Sequence, residues 1–155
     1  IIFVKNCLMT NFDILGAIRT LCETKGYIFL AGDTYYIDAD LSKERIDLGD
    51  YIITALFTAA PEYSDGQLTR ITYNGVLTCG LKVDSSNYTA SLDESFIQKY
   101  DRRLLPLMQT LSTFISDLMC DNSLDVTGAR MLAMLNRYAE NIDYIEATIT
   151  FIQEP

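Results

Sequence analysis

Five carboxylates, Asp38, Asp40, Glu44, Asp47 and Asp50, lie in one short stretch opposed only by Lys43 and Arg45. Chemically, the Asp38-x-Asp40 pair offers hard oxygen ligands to a divalent cation. The stretch lacks the glycine and terminal glutamate of an EF-hand loop, and the simpler reading is a solvated connection between strands. Asp93-Glu94 sits in a polar run where burial cannot tune a carboxyl pKa. The chain has no histidine. That removes the commonest general base, the commonest zinc ligand and every Ser-His-Asp or Cys-His nucleophile. No Gly-rich phosphate loop, G-x-S-x-G elbow or H-E-x-x-H helix occurs. We therefore assign no catalytic, cofactor-binding or metal-ligating residue. A divalent-metal hydrolase on Asp38, Asp40, Glu44 and Asp47 ranks a distant third among the functional readings.

Groups suited to protein contact are easier to find. Asp101-Arg102-Arg103 is the basic cluster of the longest helical stretch; it could grip a carboxylate on a neighbouring subunit, although a solvated helix face is the commoner role. Of ten tyrosines, Tyr35, Tyr36, Tyr51, Tyr63, Tyr73 and Tyr88 fall in strands and loops of the first two thirds. Tyrosine combines contact area with a polar tip and is enriched at interfaces. Tyr27, Tyr51 and Tyr100 read as half-buried residues, whereas Tyr63 and Tyr88 fall in predicted loops. Tyr63, Asp65, Tyr88, Arg102 and Arg103 are the candidate subunit or partner contacts.

The 155 residues suit a single domain, taken as 10–155, able to bury a core without staples. The opening IIFVKNCL reads as a segment upstream of the natural start at Met9, or as an edge strand. Apolar residues make up 49% and charged residues 21%, an ordinary globular balance. The net charge of -9 and a pI near 4.3 disfavour sequence-specific nucleic-acid binding, since an acidic surface repels phosphates. Cys7, Cys22, Cys79 and Cys120 form no C-x-x-C pair and suit buried thiols in a reducing compartment. No apolar run is long enough to span a bilayer. Asn87-Tyr88-Thr89 matches a glycosylation acceptor, read as a chance triplet.

The elements that must position these residues follow from periodicity. Phe96, Tyr100, Leu104, Leu107, Met108, Leu111, Phe114, Ile115 and Leu118 recur at steps of three and four, predicting one long helix over 95–119, bent at Pro106. A first helix, capped by Thr10 or Asn11, carries Ile14, Leu15, Ile18, Leu21 and Cys22 and ends at Gly26. Tyr27–Ala31 and Thr34–Asp38 read as a hairpin around Gly32-Asp33. Tyr51–Thr58 is a central strand, and 59–67, with Pro61 and Asp65-Gly66, a loop. Leu68–Tyr73 and Val76–Val83 flank Asn74-Gly75, the strongest hairpin signal in the chain. Residues 84–93 form a polar loop, Gly128–Ala139 a shorter helix and Asn141–Asp143 a turn. Tyr144–Ile152 alternates as a closing strand, with Ile145, Ala147, Ile149 and Phe151 inward. The expected fold is α+β: a mostly antiparallel sheet of five to six strands packed against one long helix in the C-terminal half and a short N-terminal helix.

This order of elements, with Ala60-Pro-Glu-Tyr63 before Asp65-Gly66, Ile71-Thr-Tyr-Asn-Gly75, Tyr100-Asp-Arg102, Leu105-Pro-Leu107 and Asn141-Ile-Asp143, resembles the tail terminator (tail-completion) proteins of tailed bacteriophages. The resemblance spans residues 10 to 152 as a layout, without a diagnostic motif. It implies a non-enzymatic virion protein that forms a ring, typically hexameric, on the tail tube and meets other tail or neck proteins. It also implies assembly in the host cytoplasm, with no cofactor and no membrane. Loops 59–67 and 84–94 are the expected contact sites. The alternative is a small bacterial cytoplasmic adaptor that holds a protein partner on its tyrosine-rich sheet.

Overall fold

The computed structural model describes residues 13–33, 37, 46–47, 49–82, 96–137 and 142–154. Helix α1 (Ile14–Lys25) is capped by Asp13, whose Oδ1 accepts from the Gly16 N–H at 2.9 Å; Thr10 and Asn11 lie outside the described residues. Its end is the one expected. Gly26 takes the left-handed conformation, and the Tyr27 N–H reaches back to the Cys22 carbonyl at 2.8 Å. Ile14, Ile18, Leu21 and Cys22 are buried.

The sheet has five strands: β1 (Ile28–Ala31), β2 (Tyr51–Ser64), β3 (Gln67–Lys82), β4 (Leu124–Arg137) and β5 (Ile142–Gln153), in the order β1-β2-β3-β5-β4. It is mixed. β1 runs parallel to β2, while β2–β3, β3–β5 and β5–β4 are antiparallel. The second strand of the hairpin expected around Gly32-Asp33, Thr34–Asp38, lies outside the described residues apart from Ile37, which is helical. The Gly32 N–H continues the ladder to the Ala55 carbonyl at 3.1 Å, and the Ile37 N–H donates to the Asp33 carbonyl at 3.0 Å. Parallel neighbours need a long crossover; Ile37 and Ile46, on that connection, are buried with Leu30, Ile52, Ile142 and Tyr144 against one end of the sheet.

The β2–β3 turn lies at Asp65-Gly66, both with positive φ (51° and 75°), as a two-residue hairpin turn requires. The expected loop 59–67 is therefore largely strand, and Asn74-Gly75 runs through the middle of β3, opposite Thr58 and Phe57. Pro61 is tolerated because, among the described residues, this half of β2 is laddered on one side only. Gly75 is needed for another reason than turning. A Cβ there would stand 2.1 Å from the Leu56 carbonyl and 2.6 Å from the Phe57 ring, and that ring packs 5.8 Å from Phe151.

The long helical stretch begins at α2 (Phe96–Lys99), widens into one π turn over Tyr100–Leu104 and continues as α3 (Leu105–Asn122). Pro106 sits in the first turn of α3. It has no N–H to give the preceding turn and would clash with it, and a local π widening relieves both problems. Leu104, Leu107, Leu111, Phe114, Ile115 and Leu118 are buried. They meet α1 and one sheet face made by Ile53, Ala55, Tyr73, Leu77, Cys79, Ile145, Ala147, Ile149 and Phe151. The alternation of the closing strand holds as expected, though the strand begins at Ile142, so no turn occupies Ile142-Asp143.

The second helix expected over Gly128–Ala139 is instead β4, an edge strand. Its residues favour helix, but Ala129, Met131 and Ala133 stand opposite Ile149, Ala147 and Ile145, completing the second side of the β5 ladder. We expect Gly75→Ala to lower unfolding free energy by about 1–3 kcal/mol through overpacking. Gly128→Ala, which meets nothing within 4 Å, should change it by less than about 0.5 kcal/mol. Urea titrations of both variants check this.

Candidate functional site

β5 ladders β3 only from Ile71 onward, so the β2–β3 hairpin beyond that row, Glu62 to Arg70 with its turn, stands clear of the rest of the sheet. Every residue from Thr58 to Gln67 is exposed. Tyr63, near the tip, is 64% exposed. The base of the projection is fixed by Arg70, which binds Glu154 Oε1 through Nε at 2.7 Å and also through Nη2, and lies 3.8 Å from Glu62. These pairs are exposed, and each contributes little to stability. The register shift at Glu62/Tyr63 twists the strand just before the turn, as a bulge does. The arm is thus a short, shaped projection carrying an aromatic anchor and net negative charge.

Behind it, among the described residues, helices cover one face of the sheet, and Ile37 and Ile46 of the crossover cover one end of the other. Cross-strand rows on that second face read Thr54–Thr78–Glu146–Leu132, then Leu56–Val76–Thr148–Arg130, then Thr58–Asn74–Thr150–Gly128. The first row starts buried, with the Thr54 and Thr78 hydroxyls hydrogen-bonded to each other. The rows beyond it open to solvent. Thr150 Oγ1 donates to Asn74 Oδ1 at 2.7 Å, and Thr58 Oγ1 donates to the Asn74 carbonyl at 3.2 Å. Asn74, which reads from sequence as a turn residue, is therefore a rung between two neighbouring strands. A depression of about 180 Å³ separates the Gly32-Asp33 bend from Leu56, Val76 and Glu146.

The other sequence candidates are not brought to this surface. Arg103 turns inward: its Nη1 lies 3.7 Å from Asp143 Oδ2, and Asp143 is buried at the start of β5. Arg102 remains exposed on the π turn. Asp65 is in the arm's turn. Asp47 and Asp50 close a local turn, the Asp47 N–H donating to Asp50 Oδ2 at 3.0 Å and the Asp50 N–H to the Asp47 carbonyl at 3.2 Å. Tyr88, Asp38, Asp40, Glu44, Asp93, Glu94 and the loop 84–93 lie outside the described residues. Among the described residues no group of three or more His, Cys, Asp or Glu side chains could hold a metal, and no helix is long and apolar enough to cross a membrane. Exposed Leu56 and Leu132 were not anticipated from sequence. The first sits in a run that reads as a central strand covered on at least one face, and the second in a stretch that reads as a helix.

Of the thiols, Cys22 and Cys79 are buried and Cys120 is exposed; Cys7 lies outside the described residues. Burial pushes both buried thiols from 9.0 up to about 12, with Glu23 adding to the shift at Cys22 and Cys22 itself adding at Cys79. Burial likewise pushes the Tyr73 hydroxyl from 10.0 up to about 12. Neither buried thiol resembles an activated nucleophile, which needs a lowered thiol pKa. No protein-family model matches this chain, and no curated protein matches it in sequence.

Two outcomes are expected. In the unfolded chain the thiols ionise near pH 9, whereas in the fold Cys22 and Cys79 hold their protons to about 12. The unfolded state then binds fewer protons, so stability is intact below about pH 9 and falls as pH rises toward 12. Urea midpoints across that range check the sign, and peptide mapping after native alkylation should find Cys120 modified with Cys22 and Cys79 protected. Separately, Arg103→Ala removes a cation that faces the buried Asp143 carboxylate and should cost about 1–2 kcal/mol. Arg102→Ala should cost under about 1 kcal/mol, both read from chemical denaturation.

Proposed function

We propose that this chain is a non-enzymatic structural subunit of a tailed-phage virion that assembles into a ring at the end of the tail tube, as the layout resemblance implies. The observation that carries this reading is the one-sided sheet. Two helices bury one face, while the other face opens across four strands beside a projecting arm. A subunit that keeps such a surface uncovered is suited to meet copies of itself or neighbouring tail and neck proteins. The acidity fits the same role, since a negative channel wall lets DNA pass without counterion-releasing contacts. Assembly would take place in the host cytoplasm, before the protein enters the virion.

Native mass spectrometry over a range of protein concentrations, followed by negative-stain imaging of the largest species, tests this. Closed rings of one size, six subunits each, are the expected result. A compact symmetric dimer as the largest species overturns it and favours the adaptor reading.

A further inference from the structure

We propose that the outer edge of β4 is the docking site for a second copy of this chain, which adds the free edge of its own β2, Leu56 to Ser64, as an antiparallel strand. The inference deepens the ring reading and rests on it for the copy-to-copy contact.

Four observations converge on these two edges. β1 ladders β2 only at Ile52–Ala55, so among the described residues no strand lies along β2 from Leu56 to Ser64. Among the described residues β4, at the other end of the strand order, is paired only with β5. Its register shifts bracket a regular run from Gly128 to Met134 that contains no Lys or Pro, the usual guards of an exposed edge.

Exposed apolar side chains mark the same places. Among the described residues the exposed large hydrophobics are Leu56 (49%), Tyr63 (64%), Ile97 (70%) and Leu132 (55%). All but Ile97 lie on the two free edges. Singly such residues are ordinary, but their concentration on unpaired edges is the pattern of an interface.

Composition and charge separate the two edges in complementary ways. Ala129-Arg-Met-Leu-Ala-Met-Leu135 is built from strong helix formers, held extended by a ladder on one side only; a second ladder resolves that conflict. In a chain of net charge -9, the regular run of β4 from Gly128 to Met134 carries Arg130 and no carboxylate, whereas the β2 edge and its turn carry Glu62 and Asp65. A basic edge on one copy meets an acidic one on the next.

Topology supplies the strand sense. Three successive antiparallel pairings from β2 to β4 leave these two strands running in opposite directions. A neighbour related by rotation about an axis along the strands presents β2 antiparallel to β4 with no reversal. The two surfaces differ, so the contact is head-to-tail and closes into a ring when the rotation divides the circle.

The test compares the full chain with Leu132→Lys, Arg130→Glu, Glu62→Arg and the double variant Arg130→Glu/Glu62→Arg, using sedimentation velocity with circular dichroism as the folding control. Leu132→Lys should keep the fold and raise the concentration needed for assembly at least about tenfold. Each single charge reversal should weaken assembly, and the double variant should recover much of it. Hydrogen exchange on the unaltered protein gives a second readout: amides of residues 128–134 should be slower in the assembled species than in the monomer. Oligomers that survive Leu132→Lys, with those amides exchanging as in the monomer, overturn the edge-docking inference and leave the ring reading standing. A wild-type chain that stays monomeric at its highest attainable concentration overturns both.

Discussion

The double ladder of β3 is the constraint on which the rest depends. This strand pairs with β2 over almost its whole length and with β5 over Ile71–Lys82. It thereby fixes which residues of three strands share a face, since a slip of one residue would turn every buried side chain outward. With the register as it is, Ile53, Cys79 and Ile145 form one row beneath the helices, and Ala55, Leu77 and Ala147 form the next. Gly75 lets this ladder continue past the Phe57 ring. Once the rows are set, α1 and α3 have one place to bury their stripes, and Lys25, at the end of α1, ties to Asp117 of α3 at 2.6 Å.

What was legible in the sequence is what depends on period alone. The stripe of α1 and its Gly26 stop, the Leu104–Leu118 stripe and the alternation of β5 all answer to one buried face, so local spacing suffices to find them. What was not legible depended on choosing between equivalent local signals. Asp65-Gly66 and Asn74-Gly75 both fit a two-residue hairpin turn. Only the tertiary match decides between them: turning at 65–66 sets Ile53 and Ala55 against Cys79 and Leu77, and a turn at 74–75 would forfeit that pairing. Pro61 misleads similarly, because it forbids a central strand but not an edge, and edge status is a property of the whole sheet.

β4 is the clearest case of tertiary context overriding propensity. Helix propensities differ by fractions of a kcal/mol per residue, while burying one apolar side chain contributes about 1.5–3 kcal/mol. Met131 and Ala133 gain more by covering Ala147 and Ile145 than the segment loses by leaving helix. The site followed the same logic. Tyr63 and Asp65 were legible as exposed because Asp-Gly and Pro mark a surface segment. Arg103 was not separable from Arg102, since its inward turn depends on Asp143, forty residues later in the chain and brought alongside by the fold.

The same override explains why β4 matters beyond its own packing. A strand made of helix formers has little intrinsic reason to stay extended, so its conformation is set by how many ladders it joins. With one ladder its extended state stands closer in energy to alternatives than that of β3, which has two. Whatever occupies the second side of β4 also stabilises the last layer of the core, because Met131 and Ala133 pack beneath it. Association at that edge and order in this part of the fold are therefore thermodynamically linked: binding that favours the extended strand stabilises the native sheet by the same free energy.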